Sequence, residues 1–191
     1  MILRGFFVVL EGPEGSGKST LAAGLASRAR AAGLDPTVVR DPGTTRAAEI
    51  ARQALLDPEH PVGPLAELFF YLAARAELVE KVIRPALEEG RLVISDRYAL
   101  STEAYQIAGR GLSPDIVQPP SHAAMAGVYP DLTLVLDLPT GEGRARQLKA
   151  GKTLDRLDAE SEEFHARVGA AYLAAQGEGV RHLDGRQAPD R

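Results

Sequence analysis

Gly12, Gly17, Lys18 and Ser19 stand in the order G-x-x-x-x-G-K-S within EGPEGSGKST (residues 11–20), directly behind the apolar run GFFVVL (residues 5–10). Glycines at these places let backbone N–H groups turn inward on a phosphate, and a following helix adds positive potential at its N-terminus. A lysine in this register reaches β- and γ-phosphate oxygens, and the adjoining hydroxyl can ligate Mg²⁺. The loop as a whole, Gly12, Pro13, Glu14, Gly15, Ser16, Gly17, Lys18, Ser19 and Thr20, is the candidate cradle for a nucleotide polyphosphate.

Such a loop serves GTPases, motors, transporters and kinases alike, so the chemistry must be read elsewhere. The chain contains no asparagine, which makes the guanine-reading N-K-x-D motif impossible. Late in the chain, GEGRARQLKAGKTLDR carries Arg144, Arg146, Lys149, Lys152 and Arg156 within thirteen residues. One reading is a solvated, charged helix face. The other is a lid, over about residues 141–153, that closes on the nucleotide, brings cations to the transferring phosphoryl group and excludes water.

Asp96 closes the apolar segment RLVISD, read as a strand, and Arg97 and Tyr98 follow it. Ligands of a parallel sheet sit outside the carboxyl ends of its strands, so this triplet is expected to face the phosphate loop. Asp96 either holds Mg²⁺ through water or orients the acceptor, and Arg97 offers a fork of donors to phosphate oxygens; a plain ion pair at a strand end is the alternative. In LSTEAYQ the spacing pairs Ser101 with Tyr105 and Thr102 with Gln106 on a helix, a set suited to a base edge and a sugar face. Tyr71 and Arg75 are likewise four apart, an aromatic plate beside a guanidinium that can stack a planar base, although Leu68, Phe69 and Leu72 make a core position equally open for Tyr71.

These residues need a frame. The runs GFFVVL (5–10), PTVVR (36–40), RLVISD (91–96), LTLVLDL (132–138) and GVRHLD (179–184) read as strands, and nearly continuous apolarity suits a sheet covered on both faces. Helices are expected at 19–32 (stopped by Gly33), 47–56, 64–89 (Pro64 in the first turn, Gly90 past the end), from about Leu100, and at 155–176. Alternation of strand and helix predicts an α/β fold with a five-stranded parallel sheet between helical layers. Pro119 and Pro120 are expected to interrupt any helix in the segment 112–130.

At 191 residues, with 45% hydrophobic and 25% charged residues, the chain has the length and composition of a single α/β domain with an adequate core. A net charge of −4 argues against nucleic acid or a membrane surface as partner. The absence of cysteine removes disulfides, zinc ribbons and thiol nucleophiles. No apolar run reaches 18 residues, and a cytoplasmic location is expected. The four histidines fall in no motif and read as surface or structural.

Several stretches together resemble the thymidylate kinase family, in its order and over most of the chain: EGPEGSGKST, RDPG (40–43), FYLAARAELVEKVIRPAL (70–87), VISDRYALSTEAYQ (93–106), YPDLTLVLDL (129–138) and LDRLDAESEEFHARV (154–168). The D-R-Y…S-T-x-A-Y-Q string is far more specific than the loop. The resemblance implies a P-loop NTPase fold of the nucleoside monophosphate kinase type. It implies transfer of the γ-phosphoryl of MgATP to dTMP, with Mg²⁺ held at Ser19 and Asp96. By the same resemblance the acceptor phosphate is held by Arg97 and Arg52, the base stacks on Tyr71 with Arg75 on a thymine carbonyl, and Ser101, Thr102 and Gln106 line the acceptor. Tyr105 crowds the sugar 2′ position, and Asp41 reaches toward sugar and metal. The Glu14-Gly15 pair resembles bacterial members, whose catalytic arginines come from the lid; Arg144, Arg146 and Arg156 are the candidates, beside Lys18, Asp96 and Glu14. A homodimer through helices that include 64–89 is implied as well. Asp41 stands where glutamate is usual, Tyr71 where phenylalanine is usual, and the chain ends short of the family's C-terminal helix. The readings set beside this one are another deoxynucleotide or nucleoside kinase, and a phosphate-loop protein that holds nucleotide without turnover.

Overall fold

The structure, a computed structural model, describes residues 5–139, 141–151 and 155–187. Five strands, β1 (Phe6–Glu11), β2 (Thr37–Arg40), β3 (Leu92–Asp96), β4 (Leu132–Asp137) and β5 (Val180–Asp184), form one parallel sheet in the order β2-β3-β1-β4-β5. Along β1 the side chains alternate between two cores. Phe7 and Val9 pack with Val39, Ile83, Val93 and Tyr98, while Val8 and Leu10 pack with Ala22, Ala26 and Ile94. Both faces are covered, which is why the run is apolar throughout. The sequence expectation of a three-layer α/β fold is met.

The helices are α1 (Lys18–Ala31), α2 (Arg46–Leu56), α3 (Pro64–Leu78), α4 (Arg84–Glu88), α5 (Ala99–Thr102), α6 (Pro114–Met125), α7 (Glu142–Lys149) and α8 (Glu162–Leu173). The long helix expected at 64–89 is α3 and α4 joined by a π-helical turn, Val79–Ile83. Pro85 has no N–H and its ring crowds the carbonyl one turn back, and the wider π turn ahead of it relieves that conflict. A second π-helical segment, Glu103–Gly109, continues α5 and carries Tyr105 and Gln106.

Two expectations are corrected. Pro119 and Pro120 do not interrupt a helix; they lie inside α6. Ser113 caps that helix and Pro114 opens it, while Val117 and Ala124 are buried against Leu68 and Leu72 of α3. Packing outweighs the lost backbone bonds, since the freed carbonyls of Asp115 and Ile116 sit in an exposed first turn. The helix expected at 155–176 begins only at Glu162. The Asp155 carboxylate accepts from the N–H groups of Leu157 and Asp158, closing a local turn that competes with helix, and Ser161 then caps α8 by accepting from Phe164 N at 3.2 Å.

Candidate active site

β1 ends at the phosphate loop and the neighbouring β3 ends at Asp96, so both deliver their residues to one end of the sheet. Gly12 has φ 136°, and a Cβ there would meet the Leu136 carbonyl oxygen at 2.6 Å; only glycine lets the loop turn so close to β4. Lys18 is buried and folds back along the loop, its Nζ donating to Gly12 O at 2.9 Å and Pro13 O at 2.7 Å. Burial, with Arg97 nearby, pushes its ammonium down to about 8. The Ser19 hydroxyl donates to Asp96 Oδ2 at 2.6 Å. That hydroxyl and carboxylate are a pair of hard oxygen ligands adjoining the phosphate loop.

Arg97 follows directly. Its backbone lies in the left-handed region (φ 74°), anchored by N–H donation to Leu10 O and by the Ser95 hydroxyl on its carbonyl. The guanidinium donates to Ser101 Oγ (3.1 Å), the Tyr172 hydroxyl (2.8 Å), the Tyr105 hydroxyl (3.2 Å) and the Glu14 carboxylate, and stands 5.1 Å from the Tyr105 ring centroid. Glu11, fully buried beneath it, accepts from Tyr98 N, Ser101 N, Ser101 Oγ and the Tyr172 hydroxyl. Burial pushes the Glu11 carboxyl up, against the pull of Arg97 and these donors.

A cavity of about 470 Å³ runs from the loop to a second wall. Among the residues lining it are Gly15, Lys18, Ser19, Asp41, Arg52, Tyr71, Arg75, Asp96, Arg97, Ser101, Thr102, Tyr105, Gln106 and Arg146. Tyr71 is thus a cleft residue as well as a neighbour of the core around Tyr105. Arg75 is locked in place: Nε donates to Asp41 Oδ2 at 2.6 Å, one Nη donates to Tyr98 O at 3.0 Å, and the guanidinium lies over the Tyr98 ring. Its other Nη, Asp41 Oδ1 and Thr102 Oγ1 are buried without a hydrogen-bond partner. Three orphaned polar atoms in one wall are what a polar ligand would satisfy. Asp41 is therefore an anchor for Arg75 here, and burial pushes its carboxyl up in spite of that arginine.

Helix α7 lies across the phosphate loop. A Cβ on Gly143 would collide with the Glu14 carbonyl, and one on Gly15 with the Gly143 carbonyl, so the two backbones touch. Of the three lid arginines, Arg146 lines the large cavity and donates to Gly185 O at 2.8 Å, and Arg144 lines a smaller cavity between the loop, α7 and α8. Arg156 is not brought to the cleft. It donates to Leu55 O at 2.7 Å and to the buried carboxylate of Glu67, behind the wall that carries Tyr71 and Gln106. Lys152 lies outside the described residues. None of the histidines lines the large cavity.

Glu11, Glu67 and Tyr172 were not singled out from the sequence. The available signal was a charged or phenolic residue within an otherwise apolar face: Glu11 at the end of an unbroken strand run, Glu67 between the apolar positions of α3.

Comparison with known proteins agrees with this geometry. The sequence model of the family described as thymidylate kinase matches residues 10–188. A thymidylate kinase of Deinococcus radiodurans is 45% identical over 170 residues, covering 89% of this chain and 82% of the relative. Thymidylate kinases of Thermomicrobium roseum (47% over 170 residues; 89% and 80% covered) and Nitratidesulfovibrio vulgaris (44% over 194 residues; 96% and 87% covered) are similar to it as well.

Proposed function

We infer that this chain, which belongs to the thymidylate kinase family, transfers the γ-phosphoryl group of ATP to the 5′-phosphate of dTMP, releasing dTDP and ADP. The observation that carries this reading is a single cleft with a phosphate loop at one end and, at the other, Tyr71 beside a locked Arg75 with an unpartnered buried Nη. ATP phosphates lie on the loop and Lys18. The acceptor phosphate lies against Arg97 and Arg52, with the base on Tyr71, its carbonyl on Arg75 and its edge along Thr102 and Gln106. Tyr105, between Arg97 and that wall, crowds the sugar 2′ carbon. Phosphoryl transfer asks the protein for in-line placement and charge cancellation, with little covalent help.

Ser19 and Asp96 fit a magnesium ion, being two oxygen donors beside the phosphate loop. These two residues would hold the ion, whose charge would offset that of the transferring phosphates. The segment 141–153 serves as the lid of a single domain, with Arg146 and Arg144 its cationic contributions. Exposed Leu65 and Phe69 on α3 and Ile116 on α6 support a homodimer through that face. No helix among the described residues is long and apolar enough to cross a membrane, in keeping with a cytoplasmic enzyme.

Measuring ADP release across dTMP, dUMP, dCMP, dGMP and thymidine tests the substrate: dTMP is expected to give the highest kcat/KM, and equal rates with all five would overturn the reading. A pH dependence follows from Lys18. Its free-state value of about 8 rises when phosphate oxygens replace the loop carbonyls, because an anion favours the charged ammonium. ATP affinity is therefore flat below pH 8 and falls as pH rises through 8 to 9. Calorimetry in two buffers of different ionisation enthalpy reads the coupled proton uptake. Affinity that is independent of pH over 7 to 9, with no proton uptake, would show that the Lys18 ammonium does not change its charge on ATP binding and would overturn this dependence.

A further inference from the structure

Glu67 is the fully buried carboxylate of α3, and its two oxygens take four hydrogen bonds from three residues. Oε1 accepts from Gln106 Nε2 at 2.9 Å and Arg110 Nε at 3.0 Å; Oε2 accepts from Arg110 Nη2 at 2.8 Å and from Arg156 Nη2. Arg110 continues the chain of charge to Glu160 and lies over the Phe164 ring at 4.6 Å. Burial pushes the Glu67 carboxyl up, but Arg110, Arg156 and Gln106 outweigh it and hold it below the usual carboxylate range. It is thus ionised at neutral pH and can only accept.

An acceptor-only partner decides which way an amide faces. With Nε2 of Gln106 tied to Glu67, the carbonyl Oε1 is the end of the amide turned away from that bond, and Gln106 lines the cleft. We propose that Glu67 is a positioning residue for substrate selection: it fixes the amide of Gln106 carbonyl-first toward the base, and in the same stroke ties the segment after the lid to that wall through Arg156. The inference rests on the reading of the cleft as a dTMP site. The wall then presents an acceptor from Gln106 beside a donor from Arg75. Thymine offers the matching N3–H and O4. Cytosine offers a bare N3 and an amino group, and opposes both. If the amide were free to turn, the wall would accommodate either pattern.

Glu67→Gln tests this, because a neutral amide at 67 both donates and accepts and no longer dictates the sense of Gln106. The expected result is a rise of about tenfold in KM for dTMP with KM for ATP unchanged, and a dTMP-over-dCMP preference reduced by about tenfold or more. Gln106→Leu, which leaves Glu67 its two arginines, is a second route to the same loss and protects the test against a misfolded Glu67 variant. In the double variant the two losses are expected not to add. An unchanged dTMP-over-dCMP ratio in both single variants, with kcat alone reduced, would overturn the proposal and leave Glu67 a purely structural ion pair. A wild-type protein without preference for dTMP would instead defeat the substrate reading itself, so the two failures are distinct.

Discussion

Arg97→Ala is expected to lower turnover with dTMP by about 10³-fold or more while ATP affinity stays near normal. The asymmetry comes from position. Lys18 and the loop amides belong to the donor end of the cleft, whereas Arg97 leaves the end of β3 and is braced by Ser101, Tyr172, Tyr105 and Glu14 where the acceptor phosphate would lie. That bracing holds a side chain with five donors in one orientation before substrate arrives, which is what electrostatic stabilisation of a transferring phosphoryl group requires. The substitution adds no backbone strain, since a non-glycine residue already occupies φ 74°. It does remove the cation that opposes burial at Glu11, so the Glu11 carboxyl rises further. A lower Tm accompanies the lost turnover, and assays belong well below it. Arg97→Lys restores charge but not the fork, and is expected to recover only part of the rate. Steady-state kinetics with dTMP, set beside ATP binding by calorimetry, separates the outcomes: full turnover, or equal loss of both, would refute the assigned position.

The parts of the cleft that depend on local spacing were legible in the sequence. A strand run, a glycine loop and a helix start are contiguous, so the phosphate cradle could be read from ten residues. The same holds for the string from Ser95 to Gln106, whose backbone carries Asp96, Arg97, Ser101, Thr102 and Tyr105 into one cavity. What escaped was long-range. Tyr172 meets Glu11 across 161 residues and Arg156 meets Glu67 across 89, and no periodicity reports such pairs. Arg156 illustrates the cost of reading charge by composition. It stands among lid cations in sequence, yet a buried carboxylate on α3 draws it behind the wall. Pro119 and Pro120 illustrate the opposite error, in which a local rule is overridden by Val117 and Ala124 packing on α3. The two π-helical segments left no sequence signal beyond Pro85, and one of them sets how Tyr105 and Gln106 enter the cleft.

Gly143→Ala is expected to lower kcat by about 10²-fold without lowering Tm. Gly143 is the second residue of α7, and a methyl there would drive into the Glu14 carbonyl of the phosphate loop. Backbone on backbone leaves no flexible side chain to yield, so the helix must ride off the loop. Within an undocked α7 the same methyl is favourable, alanine being better than glycine in a helix by about 1 kcal/mol. The change therefore opposes only the docked arrangement, unlike Gly15→Ala, whose φ of 72° would also strain the loop itself. Riding outward, α7 takes Arg146 from the large cavity and Arg144 from the smaller one. On the proposed reading those are the cations the lid adds to Lys18 and Arg97 at the transferring phosphoryl group, and water would gain access as they leave. KM for dTMP should change far less than kcat, because Tyr71, Arg75 and Arg97 are carried by other elements. Normal kcat in Gly143→Ala would mean that the loop contact of α7 is incidental to turnover, and a fall in Tm matching the fall in kcat would mean that the fold, not the lid, had been damaged.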